Sequence, residues 1–133
     1  MNLRSKIEQA LAPVIGRYHC VASRYGLPYC LMLITHEIED GKKLLQHNIR
    51  CADEVIEIDY KTLAILFFAN HDNSRIGFAN KILQMFEMKN PSKKVSIGIG
   101  CSCADGECSS VLTQAIRNLL EAQSLPNSMI MDE

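Results

Sequence analysis

The chain has 133 residues, of which 47% are hydrophobic and 22% are charged, and its formal net charge at pH 7 is −1. This length and apolar content suffice for one domain with a hydrophobic core. The balanced charge, without a run of Lys or Arg, gives no electrostatic reason to expect nucleic acid or a membrane surface as a partner. The N-terminal residues lack the apolar segment of a signal peptide, and the longest apolar runs are strand-sized, so we expect a cytoplasmic protein without membrane insertion.

Residues 1–23 are predicted to form an amphipathic helix that precedes the rest of the domain at 24–133. Its apolar positions follow a helical spacing, at Leu3, Ile7, Ala10, Leu11, Val14 and Ile15. Pro13 predicts a kink or break inside this helix, and Gly26 and Pro28 predict its end.

The remaining sequence alternates between strand and helix patterns. Continuous apolar residues predict a strand at 29–38, and a short helix follows at 41–51. Residues 50–68 predict a β-hairpin with a polar tip at 59–61. Asn73 or Ser74 begins a helix that Asn90 and Pro91 end, and a strand follows at 94–101. Ser109 or Ser110 begins the last helix, and a short strand covers 129–131. This order predicts an α/β sandwich with about five mostly antiparallel strands and helices packed on the sheet.

Several segments together resemble one family, the GGDEF domains of bacterial diguanylate cyclases, which have the nucleotide cyclase fold. Residues 24–28, Arg-Tyr-Gly-Leu-Pro, followed by the apolar residues 31–34, resemble the entry into the family's first strand. Residues 96–99, Ser-Ile-Gly-Ile, resemble its Ser-Ile-Gly strand, and residues 115–127 follow the spacing of its closing helix and turn. The resemblance covers roughly residues 24–132 and implies that the N-terminal helix corresponds to the linker helix before such domains.

The resemblance also implies that the catalytic residues are missing. Cyclases of this kind hold two divalent metals on carboxylates, one of which follows the first strand, where this chain has Thr35. The GGDEF signature falls on the hairpin tip, where the residues are Asp59, Tyr60, Lys61, Thr62 and Leu63. Lys61 would repel a metal, and Tyr60 removes the bare backbone that lets a nucleotide approach. The segment from 35 to 50 has room for one helix where the family has two. We therefore expect no cyclase activity, no metal and no cofactor.

One element of the family is retained in the sequence. Arg50-Cys51-Ala52-Asp53, five residues before the signature, resembles the RxxD inhibitory site at which cyclic di-GMP binds. The planar guanidinium group of an arginine can donate two hydrogen bonds to a phosphate or to guanine, and the carboxylate of an aspartate can accept hydrogen bonds from guanine N–H groups. Counting from the hairpin places Lys81 where some members add a second basic residue. The alternative interpretation is that Arg50 and Asp53 form an ion pair at a helix end on the solvated surface.

The cysteines form the other group of interest. Without a secretory signal we expect free thiols, with Cys20, Cys30 and Cys51 acting as small buried hydrophobic residues. Cys101, Cys103 and Cys108 lie within eight residues and would offer a soft-metal or redox site. Their spacing is not that of a standard zinc site, so unreactive loop thiols are the alternative.

Three functional hypotheses follow. The first is a catalytically inactive GGDEF-like regulatory module that binds cyclic di-GMP or a protein partner. The second is a structural or dimerisation domain without a nucleotide ligand, which predicts an exposed apolar stripe at Leu3, Ile7, Leu11 and Val14. The third is a metal- or redox-responsive module that uses the segment from Cys101 to Cys108.

Overall fold

The computed structural model describes residues 2–50, 53–68, 72–102 and 108–131. Its elements are α1 (Leu3–Tyr25), β1 (Tyr29–Thr35), α2 (Gly41–Gln46), β2 (Glu54–Asp59), β3 (Thr62–Phe68), α3 (Asp72–Lys89), β4 (Ser96–Cys101), α4 (Cys108–Gln123) and β5 (Met129–Met131). Across these described ranges, we find no helix with the length and apolarity needed to cross a membrane.

The strands form one five-stranded sheet in the order β2-β3-β1-β4-β5. The central strand β1 is antiparallel to β3 and β4, β2 is antiparallel to β3, and β5 runs parallel to β4. β1 and β3 are buried along nearly their whole length, as their continuous apolar sequences predict. The predicted fold class, a mostly antiparallel five-stranded α/β sandwich, is confirmed.

Helices cover both faces of this sheet, and the alternation of side chains along each strand divides the core in two. Met32 and Ile34 of β1 join a cluster with α2 and α3, which we call the α2/α3 face. Leu31 and Leu33 point the other way and join a cluster with α1 and α4, the α1/α4 face.

The prediction of an exposed apolar stripe on the N-terminal helix is wrong. Ile7 and Leu11 are fully buried against the α1/α4 face, and Leu3 and Val14 are partly buried against it. The stripe is therefore part of the core, because the sheet and α4 leave an apolar surface that α1 covers. No apolar stripe of α1 at these positions remains for a second copy of the chain.

The helix α1 also continues through Pro13, where we expected a kink or a break. It begins where Asn2 Oδ1 accepts from the Ser5 N–H at 2.8 Å, and it ends at Gly26, whose φ of 65° is left-handed. Buried side chains precede and follow Pro13, at Leu11 and Ile15, and hold both halves on the sheet. This packing keeps the element a single helix.

Two elements end earlier than predicted, and each end has a local cause. β1 stops at Thr35 rather than at residue 38, because the Ile38 N–H donates to the His36 ring at 3.0 Å and Asp40 adopts a left-handed φ of 58°. α2 stops at Gln46 rather than at 51, because Asn48 donates from its side chain and its backbone to the last carbonyls of the helix.

Candidate ligand-binding site

Arg50 and Asp53 form a tight turn between α2 and β2. The Asp53 N–H donates to the Arg50 carbonyl at 3.0 Å, and the Arg50 N–H donates to Asp53 Oδ2 at 3.0 Å. The guanidinium Nε of Arg50 lies 3.6 Å from the same carboxylate oxygen. An aspartate that accepts from a nearby backbone N–H is typical of a turn, so the carboxylate fixes the chain reversal and the start of the Arg50 side chain together.

The two side chains differ sharply in exposure. The Asp53 side chain is 1% exposed, whereas that of Arg50 is 72% exposed. Within the described ranges, Asp53 Oδ1 is buried and has no hydrogen-bond partner. The ion pair of the alternative interpretation is present, but it is not a solvated pair at a helix end, because α2 ends at Gln46 and Asp53 is buried. An unsatisfied buried acceptor costs about 1–3 kcal/mol, so a ligand N–H that reached this oxygen would recover part of that cost.

Aromatic and charged groups surround the turn. Arg50 Nη2 donates to the Phe68 carbonyl at the end of β3, at 3.4 Å, and the Phe68 ring stacks on Tyr18 of α1 with centroids 5.2 Å apart. Burial, followed by the nearby carboxylates of Glu54 and Asp53, raises the pKa of Tyr18 to about 12. Helix α1 therefore forms one wall of the turn, which the sequence did not predict.

The third predicted ligand-binding residue, Lys81, lies on a different element. Lys81 is exposed on α3. Cys51 and Ala52, between Arg50 and Asp53, lie outside the described residues.

The residues at the positions where the sequence predicted the GGDEF signature and a metal-binding acid meet at the opposite end of the sheet. Thr35, the last residue of β1, pairs with Thr62, the first residue of β3, and Asp59 of β2 also pairs with Thr62. Tyr60 and Lys61 form the tip between them, and Tyr60 is 77% exposed. The sheet register therefore brings the ends of β1, β2 and β3 together at this corner of the fold.

The residues at this corner do not fit two divalent metals. The Thr35 hydroxyl accepts from the Gln123 side chain at 3.3 Å, and Lys61 Nζ lies 4.0 Å from Glu37 Oε1. Asp59 accepts from the Lys61 N–H and pairs with Lys6 at 3.7 Å. In the part of the chain that the structure describes, no three His, Cys, Asp or Glu side chains are arranged to hold a metal. Hard cations need several oxygen ligands, and ammonium groups stand near this position instead.

Lys61 and Glu37 both line two open cavities at this corner. The smaller, of about 440 Å³, contacts Thr35, Thr62 and Ser96. The larger has a volume of about 930 Å³ and is lined by both acidic and basic residues: Glu37, Ile38, Glu39, Asp40, Gly41, Lys42, Lys43, Glu57, Tyr60, Lys61 and Lys93. Sequence reasoning missed Lys42, Lys43 and Lys93, and the adjacent lysines at 42–43 and 93–94 were the available signal.

His36 lines the smaller cavity and contacts Gly41 in the wall of the larger one. Its ring stacks on Phe86 with centroids 5.0 Å apart and lies so close to Gly41 that an added Cβ there would be 2.9 Å from Nε2. Nδ1 accepts from Ile38, and Nε2 is buried without a partner among the described residues. Burial lowers the pKa of His36, and the carboxylates of Asp59 and Glu57 oppose this shift.

We expect stability to fall in acid because of His36. Its pKa in the folded state lies below the ordinary value of about 6.5, so the unfolded chain takes up the proton first as the pH falls below about 6.5. The free energy of unfolding should therefore decrease from pH 7.5 to pH 5.5. His36→Asn retains an acceptor for Ile38 and does not titrate, so urea unfolding should show a smaller decrease for this variant. Equal decreases in both proteins would contradict the assignment.

The cysteines differ from prediction in two respects. Cys30 and Cys101 form a disulfide between β1 and β4, where we expected free thiols, because the sheet register places them directly opposite each other. Cys101 is therefore not available as a metal ligand in this state. Cys20 is exposed rather than buried. Cys103 lies outside the described residues, and Cys108 begins α4.

Comparison with solved structures identifies the fold. A microbial GGDEF domain that interacts with cyclic di-GMP superposes with a TM-score of 0.76 at 14% identity, over 95% of this chain and 92% of that one. The GGDEF domain of DgcB from Caulobacter crescentus, in complex with cyclic di-GMP, gives 0.76 at 12% identity, over 94% and 89%. The chain has the fold of GGDEF domains. The FimX GGDEF domain from Pseudomonas aeruginosa gives 0.69 at 15% identity, over 95% and 93%. No family model matches the sequence, and no curated protein matches it.

The GGDEF fold thus confirms the architecture that the resemblance implied. The likeness spans nearly the whole chain and includes α1, which the structure places in the core. At these identities the likeness concerns the fold, and the chemistry of each site depends on the residues described above.

Proposed function

We propose that this chain is a catalytically inactive GGDEF-like regulatory module of the cytoplasm that binds cyclic di-GMP at Arg50 and Asp53. The observation that carries the proposal is the buried, unpartnered Asp53 Oδ1 beside the exposed guanidinium of Arg50. The microbial GGDEF domain with the same fold interacts with cyclic di-GMP, and the DgcB domain was solved in complex with it. Both observations support the choice of ligand.

The two side chains would have different roles in binding. The guanidinium of Arg50 presents a planar fork of donors that matches a phosphate or the acceptor edge of guanine. Asp53 Oδ2 is occupied by the Arg50 N–H, which leaves Oδ1 to accept from a guanine N–H once the turn opens to admit it. Lys81, exposed on α3, would add a cation for the second phosphate.

The proposal of catalytic inactivity is supported by the hairpin tip. A cyclase must neutralise the triphosphate and the attacking oxygen with metal ions, which are held by acidic side chains. At the two positions expected to carry these acids, the chain has Thr35 and Lys61 instead. Lys61 is a single monovalent cation paired with Glu37, so it cannot supply the same activation.

Calorimetric titration of cyclic di-GMP into the purified protein tests the proposal. Arg50→Ala should weaken binding by about 10- to 100-fold, because a charge-assisted hydrogen bond contributes about 1.5–3 kcal/mol. Asp53→Asn should weaken it similarly while the protein stays folded, because the amide carbonyl can still accept from the Arg50 N–H and the amide NH₂ replaces the free acceptor.

Arg117→Ala is the matched control, because Arg117 is an exposed arginine on α4, and it should bind like the wild type. The absence of binding at hundreds of micromolar ligand would overturn the receptor proposal. Incubation of the same protein with GTP and Mg²⁺ should yield no cyclic di-GMP, and turnover would overturn the proposed inactivity.

A further inference from the structure

Cys30 and Cys101 lie on the neighbouring strands β1 and β4, close enough to form a disulfide. They are directly opposed in the β1/β4 ladder, with Cα atoms 4.1 Å apart. The Ser102 N–H donates to the Tyr29 carbonyl at 2.9 Å, so Tyr29 and Ser102 form a hydrogen-bonded pair. Such pairs alternate with non-hydrogen-bonded pairs along an antiparallel ladder, and the adjacent pair of Cys30 and Cys101 is therefore non-hydrogen-bonded. Side chains at such pairs are nearer to each other than at hydrogen-bonded pairs. The register of the sheet therefore holds the two cysteines in a position from which the disulfide can form.

The two cysteine residues differ in exposure. Cys30 is 2% exposed and belongs to the α2/α3 face, whereas Cys101 is partly exposed at the end of β4. A thiolate from solution would therefore attack Cys101 Sγ, and Cys30 would be the leaving group. This asymmetry makes the bond accessible to small thiols.

The crosslink lies at the same end of the sheet as the candidate ligand site. Tyr29 precedes Cys30 and pairs with Phe68 across the β1/β3 ladder. The carbonyl of Phe68 accepts from Arg50 Nη2, and its ring stacks on Tyr18. A continuous path of paired residues thus joins the disulfide to the side chain that we expect to contact the ligand.

We propose that Cys30 and Cys101 are a reversible dithiol–disulfide pair that regulates the Arg50 site, an inference that rests on the function proposed above. In the reducing direction, a low-molecular-weight thiol such as glutathione attacks Cys101 as its thiolate. It forms a mixed disulfide and releases the Cys30 thiolate, which takes up a proton. A second thiol then frees Cys101, so two thiols are oxidised to one small disulfide while the protein disulfide becomes two thiols. A small disulfide reverses both steps.

The oxidised state favours ligand binding because it restrains the end of the ladder. With the crosslink in place, Tyr29 and Phe68 hold the carbonyl to which Arg50 is anchored. Without it, the ends of β1 and β4 open more readily, and binding must also order them. We expect the affinity for cyclic di-GMP to fall about threefold or more on reduction.

The test uses the full chain, oxidised with glutathione disulfide or reduced with dithiothreitol. Alkylation and peptide mass spectrometry report the state of Cys30 and Cys101, calorimetry reports cyclic di-GMP affinity, and hydrogen exchange reports the amides of residues 62–68. The double variant Cys30→Ser/Cys101→Ser should bind like the reduced protein under both conditions. Cys20→Ser removes an exposed free thiol and should leave the redox response intact.

The outcomes separate the two proposals. Equal affinity in both states, with the change in the Cys30–Cys101 bond verified by mass, would overturn the regulation. Binding in neither state would overturn the ligand proposal, and faster exchange at 62–68 on reduction would then still support the coupling. Unchanged exchange at those amides would overturn it without reference to any ligand.

Discussion

Gly98→Ala is expected to cost about 4 kcal/mol of unfolding free energy or more, and to leave little folded protein at 37 °C. A Cβ at Gly98 would lie 2.6 Å from the Leu119 Cα and 2.7 Å from the Ala115 carbonyl oxygen, separations that real Cβ atoms essentially never show. Both groups belong to the backbone of α4, so no side-chain rotation can relieve the overlap. The helix would have to move off β4, and with it the residues it buries on the α1/α4 face.

The matched control is Gly77→Ala on α3. Apart from the nearby backbone of α3 itself, no described atom lies within 4 Å of a Cβ at Gly77, so this substitution should stabilise the protein by up to about 1 kcal/mol through helix propensity. Urea denaturation followed by circular dichroism measures both variants. If Gly98→Ala were as stable as Gly77→Ala, α4 would not pack on β4 at the distance described.

Leu11→Asp is expected to unfold the protein or to cost about 4 kcal/mol or more. Leu11 lies on α1 and is fully buried against the sheet and α4, so a carboxylate at this position would be desolvated among apolar groups. Val21→Asp places the same charge on the same helix at a residue that is 41% exposed, and should change stability by less than about 0.5 kcal/mol.

This pair of variants also decides between two roles for α1. A core helix predicts that Leu11→Asp destabilises the monomer independently of protein concentration. A dimerisation helix predicts a stable, folded monomer and a change only in oligomeric state. Chemical denaturation at several protein concentrations, with light scattering on the same samples, distinguishes these results, and a stable Leu11→Asp monomer would contradict the packing of α1.

Much of the architecture was predictable from local patterns. The apolar runs of β1 and β3 predicted two buried strands, and the polar interruption at 59–61 predicted the hairpin between them. The alternation before Cys101 predicted β4, and Gly26 predicted the end of α1. These signals lie within a few residues of the structures they determine, so one sequence is enough to find them.

The properties missed by sequence reasoning depend on distant partners. The disulfide joins residues separated by 71 positions, and the pairing register of β1 and β4 is set by the whole sheet. The burial of Asp53 and the proximity of Tyr18 to Phe68 likewise depend on how α1 packs, which the helical spacing of its apolar residues does not specify. The exposure of Arg50 and the burial of Asp53 were therefore not predictable from the sequence.

The packing of α1 has a consequence for where this domain begins. A fragment that started at residue 24, the boundary suggested by the end of the predicted helix, would lack Ile7, Leu11 and Ile15. It would expose Leu31, Leu33, Ala64 and Leu66, the apolar side chains of β1 and β3 that share a cluster with them. Such a surface promotes self-association in solution. The smallest autonomous unit of this protein therefore includes its first helix.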